Sequence, residues 1–168
     1  MSALEVLQSC PSQRKALLST LGVNDDNCSF VIKFETVGLQ RRLPYYVSLL
    51  IQIECLNITV KRTVTDEGVD ASVMYLSCWK GLGSPELSKS ATMLTAFDGR
   101  SFRPHGILPS LKVRLGGKTV AIEVEVVDAP LNYNLLLGRN WMYSMQAIAS
   151  SLFCVVCFPL NGKILTID

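Results

Sequence analysis

The alternation of apolar and polar residues changes character partway along the chain. From Pro44 onward, stretches rich in β-branched and aromatic residues recur about every ten positions, separated by Gly, Asn and Asp dipeptides, which is the signature of many short strands. Tyr45–Glu54 is the first such stretch, and Leu56-Asn57 reads as the turn after it. Ile58–Thr65 alternates with period two, setting Ile58, Val60, Arg62 and Val64 against Thr59, Lys61 and Thr63. Val73–Leu76 predicts a further short strand, and Ser77–Leu82 a helical turn stopped by Gly83 and Pro85. Three pairs of runs flank turn dipeptides: Ala91–Phe97 and Ser101–Ile107 around Asp98-Gly99, Leu111–Leu115 and Lys118–Val127 around Gly116-Gly117, and Ala147–Phe158 and Lys163–Ile167 around Asn161-Gly162. Tyr133–Leu137 is apolar without alternation, so burial on both faces is expected. Arg139–Met145 predicts a short helix. Together these elements predict a mainly β fold, a closed β-barrel with one or two short helices.

Residues 1–43 read differently. Ser12 is placed to cap a helix over Gln13–Leu21 that Gly22 closes, and residues 24–27 form a turn cluster. Arg41-Arg42 before Pro44 marks the edge of a new unit. The expected organisation is a partly helical N-terminal extension or linker over 1–43 and a β-domain over 44–168.

Composition narrows the class. The 168 residues are 49% hydrophobic and 18% charged, which suits a packed domain rather than a disordered chain. A net charge of +2 implies no broad basic surface, so no nucleic-acid partner is expected for this domain. No apolar run reaches the roughly 18–20 residues that span a bilayer, so no membrane partner is expected. The N-terminus lacks the basic start and continuous apolar stretch of a signal peptide. The six cysteines are irregularly spaced, and reduced, mostly buried thiols in a cytoplasmic setting are expected.

Candidate chemistry concentrates at Asp66-Glu67-Gly68, at the end of the alternating run. By itself Asp-x-Gly is a common turn. At the tip of a tight turn after a strand, however, an aspartate can be presented half-buried toward a partner. Two such carboxylates side by side cannot both ionise, so they share a proton. One then serves as general base toward water while the protonated member polarises a peptide carbonyl. The chain carries the turn only once, since Asp98-Gly99 lies between polar flanks and reads as a hairpin turn. A second carboxylate must therefore come from a second copy, with Asp66 near a two-fold axis.

Other signals read more plainly. Cys154 and Cys157 have metal or redox spacing, but positions i and i+3 of a strand face opposite ways, so core thiols are expected. His105, the only histidine, reads as a loop residue, and no metal site is expected. Trp79 and Trp141 read as core anchors. The glycosylation-pattern triplets at Asn27 and Asn57 read as chance matches in a chain without a signal peptide.

The stretch from Pro44 to Asp168 resembles the retropepsin-like aspartic protease domain of plant gypsy-type retrotransposon (gag-pol) polyproteins. The resemblance rests on Thr65–Met74 (TDEGVDASVM), Ala96–Arg100 (AFDGR) and Asp128–Arg139 (DAPLNYNLLLGR). It implies an acid-protease barrel acting as a homodimer on an extended polypeptide, without cofactor or metal. It implies Asp66 as catalytic residue and Glu67 and Gly68 as the rest of the active-site loop. Phe97, Asp98 and Gly99 would form the flap over bound peptide, and Leu136, Leu137 and Gly138 the support beneath the loop. The sequence departs from the family pattern at Glu67, where Thr or Ser is usual, and at Val69, where a small residue is usual. Glu67 is expected to weaken the dimer, and a catalytically inactive domain serving peptide binding or assembly is the alternative expectation.

Overall fold

The computed structural model describes residues 48–95, 99–129 and 132–168. The extension over 1–43, the start of the Tyr45–Glu54 run and the residues Phe97 and Asp98 lie outside the described residues.

Six strands close into a barrel: β1 (Leu50–Cys55), β2 (Ile58–Thr65), β8 (Leu135–Leu137), β3 (Ser72–Tyr75), β7 (Lys118–Val127) and β6 (Gly106–Leu115), in that spatial order, with β6 returning to β1. Glu54 and Arg114 face each other across that closing seam and form an ion pair. A two-stranded hairpin, β4 (Leu94–Thr95) and β5 (Ser101–Phe102), stands apart, and β9 (Ile148–Ser150), β10 (Val155–Leu160) and β11 (Lys163–Ile167) form a three-stranded sheet. Two short helices complete the described residues, α1 (Leu76–Gly81) and α2 (Arg139–Met145).

The turn dipeptides act as their chemistry dictates. Leu56-Asn57, Gly116-Gly117 and Asn161-Gly162 all place both residues in the left-handed region, the conformation that matches the twist of paired strands. Apart from the register breaks in β2 and β6, alternate residues of the barrel strands point inward. Ile51, Ile53, Val60, Met74, Val113, Val124, Val126, Leu135 and Leu137 meet Trp141 and Met145 of α2 and Val156 and Phe158 of β10 in one core. Each fully buried side chain of this size contributes roughly 1.5–3 kcal/mol. Lys118 Nζ donates to the carbonyls of Met145 and Pro159, tying the β6–β7 hairpin to the end of α2 and to the C-terminal sheet.

Three sequence expectations are corrected. In β2 the alternation breaks. Ile51 pairs with Thr63 but Ile53 with Val60, so an extra residue bulges out, and Arg62 takes φ 55°. After the bulge the phase is reversed, and fully buried Thr63 faces the core in place of Arg62 and Val64. The run Ala147–Phe158 is two antiparallel strands rather than one, broken by a turn at 151–154. β6 begins at Gly106 and passes through Pro109, which occupies a register break between Leu108 and Leu111, where no ladder N–H is needed.

Candidate active site

β8 runs between β2 and β3, parallel to the first and antiparallel to the second. The loop 66–71, which joins β2 to β3, must therefore cross over the end of β8. Asp66 is the first residue of that crossing. Its backbone N–H donates to Leu137 O at 2.9 Å, extending the β2–β8 pairing by one step. Its side chain is half-buried, and Oδ1 accepts from Gly68 N–H at 2.9 Å. Glu67 and Gly68 form the exposed apex. Gly68 does not need positive φ here. A Cβ at that position would stand 3.0 Å from Asp66 Oδ1, so a side chain there would press on the carboxylate.

The support beneath the loop is backbone to backbone. Arg139 N–H donates to Val69 O at 2.7 Å and Asn140 N–H to Asp70 O at 3.3 Å. Two residues that sequence reasoning left without a role complete it. Ser72 is fully buried. Its Oγ accepts from Gly138 N–H at 3.1 Å and donates to Asn140 Oδ1 at 2.6 Å. Asn140 in turn donates from Nδ2 to Glu123 O at 2.8 Å, and its Oδ1 also accepts from Trp141 N–H. This network fastens the β3 end of the loop to the start of α2, while Asp66 holds the other end to β8.

Strand register defines the surface beside the carboxylate. Val64, Leu136, Val73, Glu125 and Ile107 are successive cross-strand partners over β2, β8, β3, β7 and β6. They occupy the face opposite the core, because their neighbours Thr63, Leu135, Met74, Val124 and Leu108 face inward. The result is an apolar stripe interrupted by one carboxyl group. Segment 84–93 lies at its far end and leads into β4 of the hairpin that carries Gly99. Ser88 pairs with Ile107 by two backbone hydrogen bonds, of 2.8 and 2.9 Å. Of the hairpin residues singled out from sequence, Gly99 is exposed with φ 82°, and among the described residues the hairpin pairs Leu94 with Phe102 and Thr95 with Ser101.

Tyr133 was also missed. It is half-buried just before β8, and burial, followed by the negative charge of Asp66, pushes its phenol above the ordinary tyrosine range. Nothing in the local sequence marks it, since it stands 67 positions from Asp66 (133 − 66) and only the parallel pairing of β2 with β8 relates the two.

The remaining candidates are structural. Trp141 is fully buried, and Trp79 donates from its indole to Pro85 O and tilts against His105 at 5.6 Å between ring centroids. Cys55, Cys154 and Cys157 are buried and Cys78 half-buried, all as free thiols. Among the described residues no cluster of three His, Cys, Asp or Glu is placed to hold a metal ion, and no helix is long and apolar enough to cross a membrane.

The barrel has counterparts among solved structures. The retroviral protease-like domain of Ddi1 from Leishmania major superposes with a TM-score of 0.54 at 14% identity, over 73% of this chain and 92% of that one. The EIAV protease, solved with the inhibitor HBY-793, superposes with a TM-score of 0.51 at 16% identity, over 62% of this chain and 94% of that one. The fold is retropepsin-like. Sequence comparison adds nothing to this, as no family model and no curated protein sequence matches the chain. At such low identity the retropepsin-like likeness rests on topology: a mainly β closed barrel with two short helices, as the alternation pattern predicts.

Proposed function

We infer that the chain is one half of a homodimeric aspartic endopeptidase of retrotransposon origin, cutting extended polypeptides. The observation that carries this reading is the placement of Asp66. It ends a barrel strand, its Oδ1 is held by Gly68 N–H, and it is half-buried beside an exposed loop apex that a second copy can approach. In the dimer, Asp66 from each copy would share one proton. The ionised carboxylate takes a proton from water as the water oxygen attacks the peptide carbonyl carbon. The protonated partner donates its proton to the carbonyl oxygen. Collapse of the tetrahedral species breaks the C–N bond: the leaving nitrogen takes the proton acquired from water, and one hydroxyl of the diol returns its proton to the other carboxylate, which gives the carboxylic acid and restores the shared proton. The stripe Val64–Leu136–Val73 would form an apolar floor for substrate side chains, and the β4–β5 hairpin the flap above it. Peptide would bind as an added strand between them. No metal or cofactor is needed for this chemistry.

The direct test incubates the purified chain with an unstructured polypeptide at about pH 5, where one shared proton per carboxylate pair is expected, with and without a pepstatin-class inhibitor. Cleavage that the inhibitor and Asp66→Asn both abolish is the expected result. Absence of cleavage at concentrations where sedimentation shows a dimer overturns it.

One observation favours a second reading, a non-catalytic peptide-binding or assembly domain on the same fold. Glu67 occupies the loop apex and has no hydrogen to donate when ionised. Two copies meeting there would bring like charges together. Peptide binding without cleavage, by wild type and Asp66→Asn alike, is the outcome that reading predicts.

A further inference from the structure

Glu125 is a buried carboxyl group that the proposed chemistry does not use. Only 4% of its surface is exposed. It lies on the non-core face of β7, paired with Val73 of β3 on one side and Ile107 of β6 on the other. What covers it is segment 84–93, the stalk that leads to the β4–β5 hairpin. Ser90 Oγ stands 3.4 Å from Glu125 Oε1 and also accepts from Thr92 N–H at 3.1 Å, and the Thr92 hydroxyl acts on the same carboxyl group. Oε2 is sealed from solvent and has no hydrogen-bond partner among the described residues. The stalk is held at its near end by the two Ser88–Ile107 backbone bonds and by close packing of Leu87 on Gly106.

An orphan oxygen shut away from water is costly when neutral and far more so when charged. The seated stalk therefore belongs with the protonated carboxyl group, whereas the carboxylate recovers its hydration only if the stalk lifts. We propose that Glu125 is the latch of this stalk: with its proton it holds segment 84–93 against the barrel, and on losing the proton it releases that segment and the hairpin beyond.

The charged surroundings agree in sign. On β7, Glu123 lies on the same face two residues away, and its negative charge opposes ionisation of Glu125. β3 contributes Val73, with Tyr75 next on that face. β6 contributes Ile107, with His105 just before the strand, and the stalk contributes Ser90 and Thr92, flanked by Lys89. Burial first, then Glu123, hold the carboxyl group above the ordinary glutamate range against the opposing hydroxyl bonds. A folded-state value above the unfolded one means that the stalk's attachment is complete at low pH and is lost as pH rises through the folded value.

The latch bears on function through the reading given above, in which the β4–β5 hairpin is the flap. A stalk seated in acid and loose at neutral pH would confine ordered flap closure to the range where a shared-proton dyad works.

Hydrogen exchange tests this without requiring catalysis. The amides of Ser88 and Ile107 are followed in the full chain at about pH 5 and about pH 8, in wild type and in Glu125→Gln, so that the intrinsic pH dependence of exchange cancels between the two proteins. Equal rates are expected at the lower pH. At the higher pH, wild type is expected to exchange on the order of ten-fold faster than the variant, the signature of local opening. Should Glu125→Gln fold poorly, Glu125→Met supplies a neutral side chain of similar length with the same expectation. Equal rates in wild type and a folded neutral variant at the higher pH, or a slower wild type, overturn the latch. The contrast is expected unchanged in an Asp66→Asn background. A chain that shows it but cleaves nothing keeps the latch and loses the protease.

Discussion

Gly138 lies directly beneath the Ala71 carbonyl, so close that a Cβ on Gly138 would stand 2.4 Å from that oxygen and 2.8 Å from Val69 O. The crossing loop and the end of β8 are thus in backbone contact, with no room for a side chain between them. Gly138→Ala must lift the loop and loosen the Asp66–Leu137 and Arg139–Val69 hydrogen bonds. The expected cost is about 3 kcal/mol, the upper range for overpacking a close contact, measurable as a lower urea midpoint with unchanged slope.

Ser72 is a second fastening. Ser72→Ala leaves the Gly138 N–H without its acceptor in a buried site and frees Asn140 Oδ1 from one of its two donors. Leaving a buried donor unpaired costs roughly 1–3 kcal/mol. Ser72→Thr, which keeps the hydroxyl, is expected to recover part of this loss in the same unfolding measurement.

In the proposed dimer, Glu67 would weaken association. Two copies of its carboxylate near a two-fold axis repel by about 1 kcal/mol in water and more in a partly desolvated contact. Glu67→Thr is expected to tighten the dimer about ten-fold or more at neutral pH, a gain of roughly 1.4 kcal/mol. Added salt should narrow the difference between the two proteins. Sedimentation showing identical association would remove Glu67 from the interface.

Tyr133 reports the charge on Asp66. Burial and the Asp66 carboxylate both raise its phenol, since each opposes a second negative charge in the same place. Asp66→Asn removes one of the two causes, so Tyr133 should titrate at lower pH in the variant while still remaining above an exposed tyrosine. Tyrosinate absorbance, compared with Tyr133→Phe to isolate this ring, checks the direction.

Cys55 offers a readout of global opening. Burial, with a smaller contribution from Cys78, pushes its thiol up to about 12. At mildly alkaline pH it is therefore protonated in the native chain and inert to alkylation, because the thiolate is the nucleophile. Its labelling should track unfolding in denaturant rather than reagent access. Rapid modification of the native protein would contradict this placement.

Much of this architecture can be read from residue order, because the cues are local. The period-two run over Ile58–Thr65 and the apolar stretch before Gly138-Arg139 become β2 and β8 plus α2 with almost the expected limits. Local cues fail where a distant segment decides. Thr119, Ala121, Glu123 and Glu125 alternate with Val120, Ile122, Val124 and Val126 along β7, and nothing in that pattern sets Glu125 apart. Glu125 is buried only because the stalk, more than 30 residues earlier, lies over it (125 − 90 = 35). The bulge at Arg62 is equally silent in sequence, since a polar residue in an alternating run gives no sign that the pairing slips there. Ser72 and Asn140 are ordinary polar residues until β8 brings them together.

The threading of β8 between β2 and β3 has a consequence in time. The strands on either side of the acid-bearing loop are finished by residue 75, yet the strand that must separate them begins only at Leu135. Until those last segments exist, β2 and β3 lack the neighbour that fixes their spacing, and such long-range pairing is the slow part of folding. A nascent chain therefore carries its aspartate for 69 residues of synthesis (135 − 66 = 69) before that acid can be set in position. The proposed peptide-cutting activity would therefore stay silent until β8 has been made.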